Sequence, residues 1–160
     1  MFLKLLMVFL ISMVPIIELR GAVPVGIGMD LGLPEWLVLL VAVIGNMVPV
    51  PFIYKFARKF LNWGAEKDWK PLKKFCNFCL KKGKKAGEKL EAKAGSGVFV
   101  ALLLFVGIPI PGTGAWTGTL AASMLDLGYK KSVFAVLGGV LMAGIIMLLF
   151  SMGLFGAIRG

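Results

Sequence analysis

Uncharged residues are gathered into four long blocks along the chain. The blocks are Phe2–Ile17, which contains a single lysine, Trp36–Tyr54, Gly97–Leu125 and Ser132–Ile158. The second and fourth blocks contain no charged residue at all. At about 1.5 Å per residue, either is long enough to cross about 30 Å of hydrocarbon. These two blocks therefore predict transmembrane helices, which we place at 34–54 and 131–155.

The other two blocks are interrupted by residues that break helices. Pro15 lies near the end of the first block, and the run P-I-P-G-T-G occupies 109–114 in the third. A proline lacks the backbone N–H donor and disfavours the helical conformation in the residue before it. Each of these blocks therefore predicts two short helices separated by a break.

The interrupted blocks belong to a weak internal repeat. M-D-L-G at 29–32 matches L-D-L-G at 125–128, and Pro15 and Pro111 precede the two aspartates by the same distance. Each copy reads as helix, break, helix, turn and long span, although chance similarity between two apolar segments is the alternative. If each broken pair is a re-entrant hairpin, a copy crosses the membrane once and the second copy is inverted, as in many transporters. A conventional four-span topology is the other possibility.

The predicted fold class is therefore an all-α integral membrane protein with an inverted repeat. Each half contains a re-entrant helical hairpin plus one transmembrane helix, and a basic amphipathic interfacial helix lies between the halves. Repeat 1 is predicted over 1–54 with its hairpin at 2–29, and repeat 2 over 96–158 with its hairpin at 97–125. Residues 55–95 form the basic linker.

Composition and charge agree with a membrane protein. Of the 160 residues, 59% are hydrophobic and 16% charged, against about half and about a quarter in soluble domains, and the mean hydropathy is +0.90. The chain carries a net charge of +10, and Lys55–Lys93 alone has thirteen basic and four acidic residues, a net +9. Basic loops favour the cytoplasmic side. We therefore expect a multi-pass protein of the cell membrane with segment 55–95 in the cytoplasm.

The basic segment has the pattern of an amphipathic helix. Leu72, Phe75, Cys76, Cys79 and Leu80 follow the spacing of one helical face. Such a helix is expected to lie at the membrane surface, with its apolar side down and its lysines towards anionic lipid headgroups. The C-x-x-C pair is half of a zinc ribbon without a second half, so a metal or redox role is the weaker interpretation. Nucleic acid is not an expected partner, because no stacking platform or known motif accompanies the lysines.

The residue inventory argues against an enzyme. The chain has no histidine, which removes the commonest general base and metal ligand. No pair of nucleophile and base, no glycine-rich nucleotide loop and no metal-ligand cluster is visible. We expect neither catalysis nor a cofactor.

Glu18 and Arg20 are the most informative polar residues inside the apolar blocks. Ionisable groups at membrane depth are costly and usually face a partner or an aqueous cavity. One interpretation is a neutralising ion pair or an arginine that reaches the interface. The other is that Glu18 exchanges a proton while Arg20 meets an anionic group. Because residues two apart do not share a helical face, pairing requires irregular chain near Pro15, or partners across the repeat interface.

The run P-I-P-G-T-G-A-W-T-G at 109–118 is the second candidate site. A helix that starts there would present the N–H groups of Gly112, Thr113 and Gly114 at the positive end of its dipole, which makes an anion cradle. Thr117 adds a hydroxyl, and Trp116 could form an apolar wall. The alternative is that small residues only allow close helix packing.

Asn46 is a third buried polar candidate, in G-N-M-V-P-V-P-F at 45–52. Such an asparagine more often bonds a neighbouring helix. The P-x-P that follows is expected to end or kink the span.

The sequences at 18–24 (E-L-R-G-A-V-P), 45–52 and 109–118 resemble the signatures of the small multi-drug export family of prokaryotic membrane proteins. That family is similar, distantly, to the DedA-type membrane proteins, which have paired re-entrant hairpins and are linked to moving polyprenyl-phosphate lipids, with proton or cation coupling. The resemblance implies that Glu18 and Arg20 are the charged pair of one hairpin and that Pro111–Trp116 form the tip of the other. The chain is shorter than DedA-type proteins and lacks their arginine-rich motif.

The expected function is secondary transport, coupled to protons or cations, of an amphipathic anion such as a polyprenyl-phosphate carrier. The alternatives are a small multidrug exporter, as the family name implies, and a non-transporting protein that remodels or supports the membrane. Expected partners are membrane lipids and an anionic headgroup. We also expect a homodimer, because one protomer with two spans and two hairpins would shield a polar midplane site poorly.

Overall fold

The computed structural model describes residues 2–28, 32–94, 97–110 and 112–159. Every regular element in these ranges is helical. The elements are α1 (Phe2–Met13), α2 (Glu18–Gly28), α3 (Glu35–Met47), α4 (Pro49–Phe52), a π-helical turn (Ile53–Ala57), α5 (Arg58–Glu66), α6 (Lys70–Ala94), α7 (Val98–Gly107), α8 (Ala115–Met124) and α9 (Tyr129–Arg159).

Two stretches of helix in the described residues are long and apolar enough to cross a membrane. They are Glu35–Ala57, with 23 residues, and Tyr129–Ile158, with 30. Both predicted spans are therefore confirmed as helices. Within the first stretch α3 ends at Met47, just before the prolines, and α4 begins at Pro49, which takes its first position, where a missing N–H costs least.

Both predicted breaks are present. The first separates α1 from α2, and Ile16 and Glu18 there have φ values of 84° and 50°, which are uncommon for residues other than glycine. The second separates α7 from α8, where Gly112 and Gly114 have φ values of 86° and 154°. The breaks put the ends of four short helices inside the bundle.

The core joins both halves of the chain. α1 packs on α2 and α3, α7 packs on α9, and α2 packs on α9. Leu19 of α2, Leu102 and Val106 of α7, and Val136 and Val140 of α9 are each at most 1% exposed and belong to one apolar cluster. This cluster holds the second break next to the start of α2.

The basic segment folds back on α8. Cys76 is fully buried, and it forms a second cluster with Leu61 of α5 and Leu120 of α8, against which Leu72 and Leu80 also pack. The prediction that this apolar side of α6 faces lipid is wrong for Leu72, Cys76 and Leu80, which α5 and α8 cover, whereas Phe75 on the same predicted face is 60% exposed. Cys76 is a free thiol, and the described residues contain no group of potential metal ligands. The side chain of Cys79 lies outside the described set.

Candidate functional site

Glu18, the first residue of α2, reaches the start of α8. Its carboxylate oxygen Oε1 accepts a hydrogen bond from the backbone N–H of Trp116 at 3.0 Å, and the residue is only 5% exposed. The first N–H groups of a helix have no partner within the helix and lie at the positive end of its dipole. Glu18 therefore serves as an anionic partner for the N-terminus of α8, although it is 98 residues away.

The N–H group that Glu18 binds lies farther along the chain than those of the predicted anion cradle at Gly112, Thr113 and Gly114. The N–H of Thr113 donates to the carbonyl of Ile110 at 3.2 Å, so it does not form the open cradle that the sequence predicts. The carboxylate of Glu18 lies instead against Gly114 and the first turn of α8.

Gly114 allows this close approach. A Cβ at this position would lie 2.2 Å from Oε2 of Glu18 and 2.8 Å from its carboxyl carbon. The backbone of Gly114, with φ 154° and ψ −174°, also occupies a region that is essentially restricted to glycine. Both constraints explain a glycine at this position.

Arg20 binds the other side of the break. Its guanidinium donates to the carbonyl of Ile110, and to the carbonyls of Val106 and Ile108 at 3.3 Å each. It also donates to Oγ1 of Thr113 at 3.0 Å. The last carbonyls of a helix lie at the negative end of its dipole, where a cation is favourable. Arg20 thus supplies donors at the end of α7 and to the chain that follows.

Glu18 and Arg20 bind the two helix ends that meet at the break, the start of α8 and the end of α7. The carboxylate meets an N-terminus and the guanidinium meets the carbonyls at a C-terminus, so each charge suits the dipole it faces. Both side chains are therefore hydrogen-bonded to the α7–α8 break, and the chain near Pro15 is also irregular, with positive φ values at Ile16 and Glu18.

Thr113 strengthens the turn between the two helices. Its hydroxyl lies 2.8 Å from the carbonyl oxygen of Ile110 and 3.1 Å from that of Ile108, and it is the acceptor for Arg20. A single hydroxyl hydrogen can serve one carbonyl at a time, so these two carbonyls share Thr113 and Arg20 as donors.

We expect Thr113→Val to lower the free energy of unfolding by about 1–2 kcal/mol, because it removes a donor and an acceptor from a half-buried polar cluster. Thr113→Ser keeps the hydroxyl and should stay within about 0.5 kcal/mol of the wild type. Denaturant unfolding in detergent micelles measures both. A Thr113→Val variant as stable as the wild type would contradict a role for the hydroxyl.

Asn46 lies beside the charged pair without being bonded to it. It is 2% exposed, and its Oδ1 atom is buried without a hydrogen-bond partner. With Glu18, Arg20 and apolar side chains, Asn46 lines a small cavity. The cavity has room for about one water molecule. The cavity brings together residues of α2, α3, α7, α8 and α9.

The remaining predicted site residues have different surroundings. Gly112 contacts Lys82 of α6, since a Cβ there would lie 3.2 Å from the Nζ atom. The side chain of Trp116 packs against the Cys76 cluster, and its Nε1 is a buried donor without a partner. Thr117 is half-buried on α8. Pro111 lies outside the described residues.

Two residues near the site escaped the sequence analysis. The sequence assigns the lysines of α6 as a group to lipid headgroups, and only the packing of α6 on α8 brings Lys82 to Gly112. Thr119 is fully buried on α8 with an unpartnered Oγ1. The small polar residues of G-T-G-A-W-T-G-T could have indicated Thr119, whereas no local signal points to Lys82.

Comparison with known proteins gives one match. Residues 18–146 match the model of a protein family described as "Putative small multi-drug export protein". The matched stretch begins at Glu18 and contains every predicted site residue. No curated protein and no solved structure gave a significant match. The similarity to DedA-type proteins stays a prediction.

Proposed function

The chain belongs to the small multi-drug export family, and on this premise we propose that it is a membrane transporter whose central site is the Glu18–Arg20 pair on the α7–α8 break. Family membership and two apolar helices support a membrane location. The observation that carries the site is the hydrogen bond from the N–H of Trp116 to the carboxylate of Glu18. If Glu18 leaves this position, another anion can bind to the same helix N-terminus.

The proposal includes a re-entrant arrangement of α1 and α2. Gly26 near the end of α2 contacts both Val8 of α1 and Val38 of α3. Ser12, near the end of α1, donates to the carbonyl of Ala42, farther along α3. These contacts support a hairpin that enters and leaves beside the first turns of α3, with its tip near the middle of that helix.

Contacts of the second pair support a hairpin from the opposite side. Leu103 contacts Gly138, and Gly107 contacts Met142, so α7 follows the direction of α9. α8 returns, because Ser123 near its end donates to the carbonyl of Tyr54 at 2.8 Å.

The opposite orientation of the two halves has support at both ends of the bundle. The rings of Tyr54 and Tyr129 lie 5.5 Å apart, so the end of the first span meets the start of the second. At the other end, Gly28 contacts the ring of Phe155. This antiparallel relation is what an inverted repeat requires.

Transport would depend on exchange of the anion at the start of α8. A protonated Glu18 has no charge to offer the helix dipole, and the N–H groups and Arg20 would then favour an incoming anionic headgroup. An apolar tail could remain in lipid while the headgroup occupies the site. We therefore propose proton-coupled movement of an amphipathic anion, with a polyprenyl phosphate as the representative substrate.

Drug export is the second candidate, because the family description names multi-drug export. A cationic drug would then bind Glu18 directly, after Glu18 leaves Trp116. A protein that only remodels membranes is not favoured by this family membership.

The test measures transport in proteoliposomes with a short-chain polyprenyl phosphate, a lipophilic cation and a pH indicator. We expect Glu18→Gln to slow uptake of the phosphate, and the proton movement that accompanies it, by at least about tenfold. The matched control is Glu35→Gln, at an exposed glutamate at the start of α3, which should transport as the wild type does. Uptake of the cation alone would support drug export. Unchanged transport in Glu18→Gln would contradict the site.

The homodimer stays a prediction. It was expected because one protomer would shield a polar site poorly, but one chain already buries Glu18 and Asn46 to 5% and 2% exposure. A second copy is therefore not required to enclose these two side chains.

A further inference from the structure

The α5–α6 hairpin leaves large aromatic side chains exposed although its apolar inner side packs on α8. The exposed fractions are 51% to 68% for all six of them. They are Phe56, Phe60, Trp63, Trp69, Phe75 and Phe78. Exposed apolar side chains gathered in one part of a fold are typical of an interaction surface. We call these six side chains, with the lysines between them in the sequence, the outer face of the hairpin.

The aromatic residues form regular stripes. Phe56, Phe60 and Trp63 are spaced by four and three residues, which places them on one side of a helix, and the rings of Phe60 and Trp63 lie 6.0 Å apart. The ammonium of Lys67 lies 4.9 Å from the centre of the Trp63 ring. The stripe on α5 thus combines apolar rings with a cation on a flexible stem.

The charge of the outer face is positive. Five exposed lysines lie between the aromatic residues in the sequence, against two exposed acidic residues, Glu66 and Asp68. The lysines are Lys59, Lys67, Lys70, Lys73 and Lys74. Aromatic rings suit the depth of lipid headgroups, and lysines next to them can reach the phosphates above. A surface of this charge is complementary to a bilayer that contains anionic lipids.

We propose that the outer face of the α5–α6 hairpin binds the surface of a bilayer through anionic phospholipid headgroups. The inference does not depend on transport, since it rests on the exposed rings and the charge of the hairpin. The proposal changes which side chains are expected to contact lipid. Leu72, Cys76 and Leu80 are covered by protein, and the exposed aromatic side chains contact the lipid instead.

The experiment uses the full chain in nanodiscs of phosphatidylcholine and phosphatidylglycerol at a ratio of about two to one, so that the surface is anionic. Two preparations have the same lipid proportions and differ only in which lipid carries bromine atoms, which quench tryptophan fluorescence. The signal of the outer face is the difference between the wild type and Trp63→Phe/Trp69→Phe. We expect brominated phosphatidylglycerol to quench this signal more, mole for mole, than brominated phosphatidylcholine does.

Paired lysine variants decide whether charge on the hairpin is responsible. Lys73→Gln/Lys74→Gln removes two exposed lysines from α6, and Lys130→Gln/Lys131→Gln removes two from the start of α9. We expect the first pair to lower the preference for phosphatidylglycerol by about fivefold or more, as neutralised lysines near a charged surface do, and the second to retain it. The proposal would be overturned if the two lipids quench equally or if both paired variants lose the preference equally. It would also be overturned if neither lipid quenches, as expected for a face that binds nucleic acid or protein. Transport is not measured, so a failure of the transport proposal leaves this result unaffected.

Discussion

Replacement of Gly114 by alanine is expected to lower the free energy of unfolding by about 3 kcal/mol and to abolish transport, because a buried charged contact is lost and the backbone is strained. The added methyl group would overlap the carboxylate of Glu18, whose Oε2 lies 2.2 Å from the Cβ position. Either Glu18 leaves the N–H of Trp116, or α8 moves away from α2. Strain in the backbone at φ 154° adds to the loss of that hydrogen bond.

A matched control separates the overlap from the backbone strain. Gly128 also has a positive φ, 80°, but no atom lies within 4 Å of its Cβ position. Gly128→Ala should therefore cost only the about 1–2 kcal/mol of a left-handed backbone and should retain transport. Denaturant unfolding in micelles and uptake by proteoliposomes measure the two variants side by side.

A double-mutant cycle with Glu18→Ala tests whether Glu18 is the group that the methyl displaces. In the Glu18→Ala background, Gly114→Ala should cost about 1–2 kcal/mol, close to the strain alone, because the carboxylate is absent. Additive effects of the two substitutions would contradict the contact, and so would wild-type transport by Gly114→Ala itself.

The breaks and the long helices could be predicted from local sequence. Pro15 and the glycines after Pro109 disfavour helix wherever the chain goes, and the spans are set by length and hydropathy. Pro49 follows the same rule, because α3 ends before it and a new helix starts with it at the first position. Local chemistry thus accounts for the order of the elements.

The partners of the charged residues could not be predicted in the same way. The sequence identified Glu18, Arg20 and 109–118 as unusual, but no local pattern says that Glu18 occupies the start of α8, 98 residues later. The apolar face of α6 has the same limitation. Its spacing predicts a buried stripe, but it cannot distinguish burial in lipid from burial against Leu61 and Leu120.

The two charges explain how polar helix ends are tolerated inside the apolar bundle. A broken helix exposes carbonyls at one end and N–H groups at the other, and each unpaired group is costly away from water. Arg20 serves the carbonyls, and Glu18 serves the N–H of Trp116. The stability of the break and the proposed transport therefore depend on the same two side chains. For substitutions at Glu18 or Arg20, both the free energy of unfolding and the rate of uptake have to be measured.

Replacement of Arg20 by leucine is expected to lower the free energy of unfolding by about 2–4 kcal/mol, because the carbonyls of Val106, Ile108 and Ile110 all lose their guanidinium donor. Arg20→Lys keeps the charge, but one ammonium lacks the planar fork that serves several acceptors. It should recover no more than about half of the loss. Lys131→Leu, at an exposed lysine on α9, removes the same charge and should change stability by less than about 0.5 kcal/mol. If Arg20→Leu unfolds at the wild-type denaturant concentration, Arg20 does not hold the break. If Arg20→Lys is as stable as the wild type, the positive charge alone stabilises the break, and the several N–H donors of the guanidinium are not needed.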